Sequence, residues 1–285
     1  MILQDFIRDA GERLEKASLH FAGSQQHAEQ IVLRTLNLNA AELFLKKEKA
    51  VSPSDLEKLM SVLERRLSGE PLQYILGFEY FYESKFEVGP GCLIPRKETE
   101  QLVDELLKWE LESSLKVAEL GAGTANIGIS TLLKRPDIEW YAFEINPQSI
   151  VFAKKNCAAL LPKESKYFLH EEDFFNGVHR FSPYDVVISN PPYISSEEYA
   201  ELAHEVKQEP ILALKAGESG LDVIRKLIKG LPHFLKPGGL FLCEIGATQE
   251  QALKKEFHQR PWDQFEILKD LAGHPRVLKI KLCKT

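Results

Sequence analysis

Apolar residues recur every three or four positions through the first part of the chain. This spacing places them on one face of a helix, which predicts a small helical domain over residues 1–70. Its final helix should begin with Ser52 or Ser54 as the cap and with Pro53 in the first turn. The positions that show the spacing best are Leu3, Phe6, Ile7, Ala10 and Leu14.

A segment of different character follows at residues 71–96. Three short runs at 74–77, 79–82 and 85–88 are rich in aromatic and branched residues, and turn residues separate them. Such runs are typical of short strands. We therefore expect a small β-hairpin that links two domains.

Buried-type strands alternate with helices from there on, so we expect residues 97–285 to form one α/β domain. Strands that are connected through helices run parallel and are covered on both faces. The last two strands differ, because a short turn joins them as an antiparallel hairpin. The expected strands lie at 116–120, 139–145, 166–169, 184–189, 240–245, 265–271 and 276–282, and the expected helices at 126–134, 147–160, 219–231 and 249–258.

Composition and charge narrow the possible functions. The 285 residues carry a formal net charge of −6, which disfavours a protein that binds nucleic acid by neutralising phosphates. The 4 cysteines are widely spaced and form no Cys-x-x-Cys pair, which gives no support to a metal site and fits a reducing compartment. No apolar run approaches the ~20 residues that a membrane span needs. We expect a cytoplasmic protein without a metal, a membrane contact or a direct nucleic-acid contact.

A glycine-rich turn joins the first strand and helix of the α/β domain. Glycines let the backbone approach a ligand closely, and the start of the helix offers unpaired N–H groups. Asn126 stands where a dinucleotide-binding fingerprint has its third glycine, so that pattern fails. The looser acidic-x-Gly-x-Gly pattern of methyltransferases matches, and a tight turn without a ligand is the alternative. The candidate cofactor-binding residues here are Gly121, Ala122, Gly123, Thr124 and Ala125.

Two acidic positions after the next strands extend this candidate site. Glu144 ends the second strand, where a carboxylate can accept hydrogen bonds from the ribose hydroxyls of a nucleoside. Asp173 and Phe174 follow the third strand, so the carboxylate is a candidate to bind an adenine amino group while the ring covers the base. The alternative for Asp173 is a solvated acidic loop shared with Glu171 and Glu172.

The segment Asn190-Pro191-Pro192-Tyr193 follows the fourth strand and contains the candidate catalytic residues. An amide or arylamine nitrogen is a poor nucleophile because its lone pair is delocalised. The side-chain carbonyl of Asn190 and the main-chain carbonyl of Pro191 can each accept one N–H of such a nitrogen, while the prolines keep both acceptors fixed. Tyr193 offers an aromatic wall to a planar substrate group. The alternative is a rigid turn without a ligand.

The same motif occurs in adenine-N6 DNA methyltransferases and in glutamine-N5 protein methyltransferases. Other segments favour the second class, because 69–77, 93–100, 235–239, 244–246 and 270–273 with 276–277 closely resemble the HemK/PrmC family of peptide chain release factor glutamine methyltransferases. The resemblance implies an α/β fold: a class I (Rossmann-like) methyltransferase sheet with a terminal antiparallel hairpin, plus a small N-terminal helical domain. It implies methyl transfer from S-adenosyl-L-methionine to the side-chain amide nitrogen of the Gly-Gly-Gln glutamine in class I peptide chain release factors.

Site residues can be carried over from this resemblance by position. It assigns residues 121–125, Glu144, Phe174 and Asn190 to the cofactor, and residues 190–193 to the substrate glutamine. We expect the helical domain to recognise the release factor. The sequence departs from the family pattern at Ala125, where glycine is common, at Glu119 and Glu144, where aspartate is usual, and at Lys97, where proline is typical.

Two alternatives stand beside this interpretation. A nucleic-acid adenine methyltransferase would need a target-recognition domain with a basic face, and neither the acidic balance nor the compact C-terminal hairpin leaves room for one. A non-catalytic protein that recruits partners through its helices is the other alternative. The intact motif at residues 190–193 argues against it, because a protein without the reaction has no use for that loop.

Overall fold

The structure is a computed structural model in which the chain divides into two compact units. The smaller unit comprises Met1–Phe78 and Leu202–Gln208, and the larger unit comprises Glu79–Glu201 and Glu209–Thr285. The structure describes residues 1–17, 23–109, 114–257 and 262–284.

The smaller unit is built from helices, as the sequence predicts. These are α1 (Leu3–Lys16), α2 (Ser24–Thr35), α3 (Ala40–Lys46), α4 (Pro53–Leu67) and α5 (Leu72–Leu76). Their apolar faces enclose a core in which Phe6, Ile31 and Leu59 are fully buried. Helix α4 begins as expected, because the Ser52 hydroxyl accepts the backbone N–H of Asp55 at 3.1 Å.

Helix α5 occupies the run at 74–77 that we expected to be extended, so that expectation is wrong. A helical turn brings Leu72 and Leu76 onto one face, and both pack against the core of the smaller unit. Gly77 ends the helix with φ +81°, a conformation that suits glycine. Packing against the neighbouring helices therefore outweighs the strand preference of this short run.

A buried arginine joins the segment Leu202–Gln208 to the helices of the smaller unit. Arg66 is fully buried, and its Nε donates to Nε2 of His27 at 2.8 Å. Its two terminal nitrogens donate to the Glu70 carbonyl oxygen, at 2.9 Å, and to the Glu205 carboxylate. A buried guanidinium needs such partners, because an unpaired charge inside a protein is costly. The smaller unit is therefore complete only with a segment from far along the chain.

The predicted hairpin is confirmed by β1 (Phe78–Phe81) and β2 (Ser84–Glu87), which pair in a two-stranded sheet. Phe81 and Phe86 are buried in the core of the larger unit. Their ring centroids lie 6.1 Å apart with planes at 82°, an edge-to-face arrangement that is favourable between aromatic rings. These two rings anchor the hairpin in the larger unit.

The main sheet of the larger unit confirms the predicted α/β alternation. Its strands are β3 (Lys116–Leu120), β4 (Glu139–Glu144), β5 (Tyr167–Glu171), β6 (Tyr184–Ser189), β7 (Leu235–Glu244), β8 (Trp262–Lys269) and β9 (Pro275–Leu282). Among the described residues the strand order is β5-β4-β3-β6-β7-β9-β8. Strands β3 to β7 run parallel, and β9 lies antiparallel between β7 and β8, which confirms the terminal hairpin.

Helices cover this sheet on both faces. The helices of the larger unit are α6 (Glu100–Leu107), α7 (Asn126–Lys134), α8 (Pro147–Leu160), α9 (Phe174–Gly177), α10 (Ser196–Glu201), α11 (Ile211–Leu214), α12 (Asp222–Phe234) and α13 (Glu250–Phe257), with short 3-10 helices at Lys97–Thr99 and Val178–Arg180. A further 3-10 helix, Val206–Gln208, lies in the segment that belongs to the smaller unit. Alternate residues of the central strands enter two separate cores, with Val117 in one and Ala118 in the other. In the part of the chain that the structure describes, no helix is long and apolar enough to cross a membrane.

Strand β7 begins earlier than the predicted start at residue 240. Leu235 already pairs with Tyr184, and the register then shifts before Leu240 pairs with Val186. The intervening proline and glycines form an irregularity within the strand.

Candidate functional site

A cavity opens beside the carboxyl ends of β3, β4 and β6, the place where open parallel sheets bind ligands. Several separate segments line it, among them the loop after β3, the end of β4, the start of α9 and the loop after β6. Most of the predicted site residues therefore meet in one place. Those that line the cavity are Gly121, Gly123, Glu144, Asp173, Phe174, Asn190 and Pro192.

The glycine loop, residues 121–125, is bonded to the end of β4. The N–H groups of Gly121 and Ala122 both donate to the Phe143 carbonyl oxygen, at 2.9 and 3.0 Å. Gly121 and Gly123 have φ values of +80° and +57°, and a Cβ added at either would meet no atom within 4 Å. The two glycines therefore leave open space beside their backbone, as expected where a ligand approaches closely.

Glu144 is buried and stabilises the glycine loop through its carboxylate. Its Oε2 accepts the Gly123 N–H at 2.7 Å, and its Oε1 accepts the N–H groups of Ile145 and Asn146 at 2.9 and 2.7 Å. Burial raises the pKa of Glu144, whereas these hydrogen bonds oppose the rise. A carboxylate offers about four lone-pair sites, so it retains capacity for a ligand hydroxyl.

Asp173 and Phe174 lie at the start of α9. Oδ1 of Asp173 accepts the Phe175 N–H at 2.7 Å and caps this short helix, so the fold orients the carboxylate. The rings of Phe174 and Phe175 have centroids 4.4 Å apart, and both line the cavity together with Val223. This apolar wall beside a carboxylate fits a planar base that carries an amino group.

Asn190 follows β6, and its side chain is bonded to the Thr99 hydroxyl, which is bonded in turn to the Glu244 carboxylate. Its Nδ2 donates to Oγ1 of Thr99 at 3.1 Å, and Thr99 Oγ1 donates to Oε2 of Glu244 at 2.6 Å. The Tyr193 hydroxyl donates to the other Glu244 oxygen at 3.1 Å. Burial raises the pKa of Glu244 and of Tyr193. Because the Asn190 nitrogen donates to Thr99, the carbonyl oxygen on the other branch of the amide can accept a hydrogen bond from a ligand.

The remaining predicted site residues lie behind the cavity wall. The side chains of Ala122, Thr124 and Ala125 are buried, and Ala125 takes φ +66° just before α7. Pro191 is also buried, and Tyr193 reaches Glu244 from behind Asn190. These residues shape the two loops, and their side chains are not part of the cavity lining.

Sequence reasoning assigned no role to Thr99 or Glu244, although both stand in segments that resemble the family. What points to Glu244 is the register of the sheet, which the structure supplies. Ser189 pairs with Cys243 across β6 and β7, so the next residues, Asn190 and Glu244, leave adjacent parallel strands side by side. Apolar lining residues such as Leu93, Leu212 and Val223 carry no such signal, because nothing distinguishes them from core residues.

A metal centre would need several side chains of suitable chemistry close together. Groups of three or more His, Cys, Asp or Glu residues arranged to hold a metal ion are absent from the described residues.

Comparisons with known proteins agree with this geometry. Residues 5–77 match the family model of the PrmC N-terminal domain, and residues 97–217 match that of the methyltransferase small domain. The release factor glutamine methyltransferase of Koribacter versatilis is 33% identical over 98% of this chain and 98% of its own length. That of Neisseria gonorrhoeae is 37% identical over 78% of this chain and 80% of its own length.

The similarity to solved structures concerns the fold. The hMettl16 catalytic domain, crystallised with the MAT2A 3'UTR hairpin 1, superposes with a TM-score of 0.53. The match covers 87% of this chain and 85% of that chain, at 13% sequence identity. The identity is too low to say more than that the two share a methyltransferase fold. The sequence relatives decide the family, and this chain belongs to the release factor glutamine methyltransferases.

Proposed function

We propose that this protein transfers a methyl group from S-adenosyl-L-methionine to the side-chain amide nitrogen (N5) of the glutamine in the Gly-Gly-Gln motif of class I peptide chain release factors, in the cytoplasm. The observation that carries the proposal is the orientation of Asn190. Its amide nitrogen is bonded to Thr99, so its oxygen is available to a substrate N–H at the cavity wall. The names of the sequence relatives support the choice of acceptor.

The residues around the cavity suit S-adenosyl-L-methionine. Gly121 and Gly123 leave the space that a close-lying ligand requires, and Glu144 would bind the ribose hydroxyls. Phe174 and Asp173 would hold the adenine through ring contact and its amino group. When bound, this group supplies an electrophilic methyl carried on a sulfonium.

The contribution of the protein to the reaction is orientation. Asn190 Oδ1 and the main-chain carbonyl of Pro191 would each accept one N–H of the glutamine amide, which turns the nitrogen lone pair away from both. A nitrogen held in this way needs no strong base, because it becomes acidic once it is methylated. Orientation of reactants in a site of this kind can lower the activation free energy by ~7–11 kcal/mol.

The proposal is tested by mass spectrometry of a purified release factor after incubation with the protein and S-adenosyl-L-methionine. We expect the peptide that contains Gly-Gly-Gln to gain the mass of one methyl group, located on the glutamine. A release factor with asparagine in place of that glutamine is the control. Methylation of adenine in an oligonucleotide, with none on the release factor, would contradict the proposal.

Glu144→Ala should weaken binding of S-adenosyl-L-methionine by about 1.5–3 kcal/mol, because a charged hydrogen-bond acceptor is removed. The loss of its bond to the Gly123 N–H acts in the same direction. Calorimetry measures the affinity. Glu171→Ala is the matched control, since Glu171 is the β5 partner of Glu144 in the sheet and is exposed. An affinity that is unchanged in Glu144→Ala would mean that the ribose is bound elsewhere.

The smaller unit is the proposed recognition domain for the release factor. Phe44 and Leu45 on α3 are 67% and 71% exposed, and neighbouring exposed apolar side chains suit an interaction surface. Replacing both with serine should raise KM for an intact release factor about tenfold and leave KM for the methyl donor unchanged. A short Gly-Gly-Gln peptide should react poorly and equally with both proteins. Leu271→Ser, in the exposed turn before β9, is the control, and equal KM values for the release factor would refute this role.

A further inference from the structure

Two buried side chains form a hydrogen-bonded chain that begins at Asn190. Thr99 is 2% exposed and Glu244 is 1% exposed, and they lie on the 3-10 helix before α6 and at the last position of β7. The chain runs from Asn190 Nδ2 to Thr99 Oγ1 at 3.1 Å, and from Thr99 Oγ1 to Glu244 Oε2 at 2.6 Å. Three segments that are distant in sequence therefore converge on one side-chain amide.

The direction of each bond follows from the number of protons available. In the structure the hydroxyls of Thr99 and Tyr193 both donate to Glu244, as they do to a carboxylate that only accepts. The single proton of the Thr99 hydroxyl is used in the bond to Glu244, so Thr99 can only accept a hydrogen bond from Asn190. Asn190 must meet Thr99 with its NH2 group rather than with its oxygen.

The surroundings of Glu244 act on its pKa in both directions. Burial raises the pKa of Glu244, while the hydrogen bonds from Thr99 and Tyr193 and the positive charge of Arg276 oppose the rise. Arg276 itself is held by Asp270 at 3.2 Å. The negative charge of Glu98 adds to the rise in the pKa of Glu244.

We propose that Thr99 is a positioning residue, which, anchored by Glu244, fixes the orientation of the Asn190 amide so that its oxygen faces the substrate nitrogen. The inference rests on the proposed function, because it concerns the acceptor for a substrate N–H. An asparagine amide is nearly symmetric in shape, so packing alone does not select one orientation. With the amide reversed, an NH2 group would oppose the N–H bonds of the substrate and the acceptor would be lost.

Kinetics of matched variants test the inference. Thr99→Val removes the hydroxyl at nearly constant shape and should lower kcat about tenfold, while KM for the methyl donor stays the same. Thr99→Ser keeps the hydroxyl and should restore most of the rate. Thr131→Val is the control, because Thr131 is also fully buried and its hydroxyl donates to a helix carbonyl, that of Ile127, at 2.9 Å.

A double variant separates positioning from a general structural effect. If Thr99 acts through Asn190, Thr99→Val should slow the wild-type protein but not slow the Asn190→Ala protein any further. A tenfold loss in both backgrounds would overturn the inference, as would a Thr99→Val protein with full activity. These outcomes presuppose a wild-type protein that methylates the release factor; a wild-type protein that does not would refute the proposed function instead.

The orientation of the Asn190 amide can also be tested by NMR, which does not require an active protein. In protein labelled with ¹⁵N in asparagine side chains, the Asn190 NH2 signal is the one that disappears in Asn190→Ala. We expect it to shift in Thr99→Val and in Glu244→Gln, which alters the group that anchors Thr99, and to keep its position in Thr99→Ser. An Asn190 signal that does not respond to Thr99→Val or Glu244→Gln would refute the proposed orientation.

Discussion

Asn190→Ala should slow methyl transfer by roughly 10²–10³-fold, the effect of removing one preorganised hydrogen-bonding group from an active site. The loss should fall on the turnover number more than on KM, because the acceptor matters most as the amide lone pair is freed. Asn190 lines the cavity and its oxygen is the group directed to a ligand, so alanine removes that acceptor without filling the space. Single-turnover methylation of a release factor measures the step.

Asn190→Asp distinguishes acceptance from other roles of this side chain. Aspartate keeps an oxygen for the substrate, so it should retain more activity than alanine. It should remain slower than the wild type, because it loses the bond from Nδ2 and places a second carboxylate beside Thr99, whose one proton already serves Glu244. An aspartate variant no faster than alanine, or an alanine variant close to wild-type speed, would contradict the orientation mechanism.

Glu119→Gln should make the protein more stable, by an amount that grows as pH rises. Glu119 is fully buried below the glycine loop, and its Oε2 accepts the indole N–H of Trp140 at 2.7 Å. Burial raises the pKa of Glu119 to about 8. The hydrogen bond from Trp140 opposes this rise, and the negative charge of Glu144 adds to it. The folded protein therefore holds a proton that the unfolded chain has already released, and stability falls as pH rises from the unfolded pKa towards 8.

Glutamine at this position keeps the acceptor for Trp140 and has no proton to lose. The difference in unfolding free energy between Glu119→Gln and the wild type should grow by up to ~1.4 kcal/mol per pH unit within that window. Urea unfolding of both proteins at several pH values between about 5 and 8 measures it. A difference that stays constant across this range would mean that Glu119 ionises in the folded protein as it does in the unfolded chain.

Local patterns were enough to predict most of the elements and seven of the fifteen residues that line the cavity. The α/β alternation and the terminal hairpin depend on hydrophobic spacing within short windows, and a parallel sheet necessarily brings the ends of its strands together. Gly121, Glu144 and Asn190 could therefore be placed at one edge of the sheet from the sequence alone. The run at 74–77 could not be assigned, because its conformation is decided by helices elsewhere in the smaller unit.

The hydrogen bonds behind the motif were beyond the sequence for a different reason. Thr99 and Glu244 meet Asn190 across large separations along the chain, and a threonine or a glutamate is an ordinary residue in its own segment. The role of these two residues depends on the register of the strands and on which acceptor each hydroxyl proton faces. Neither is encoded in spacing or composition.

The route of the chain through the smaller unit also sets an order of events during synthesis on the ribosome. Helices α1 to α5 emerge first, but the Glu205 carboxylate that pairs with buried Arg66 follows only after β3 to β6 have been made. Domains are generally completed from the N-terminus onward. In this chain the smaller unit begins first but is completed later, because Glu205 follows β3 to β6 in the sequence. Until those strands have left the ribosomal tunnel, Arg66 in the nascent helices lacks its Glu205 partner.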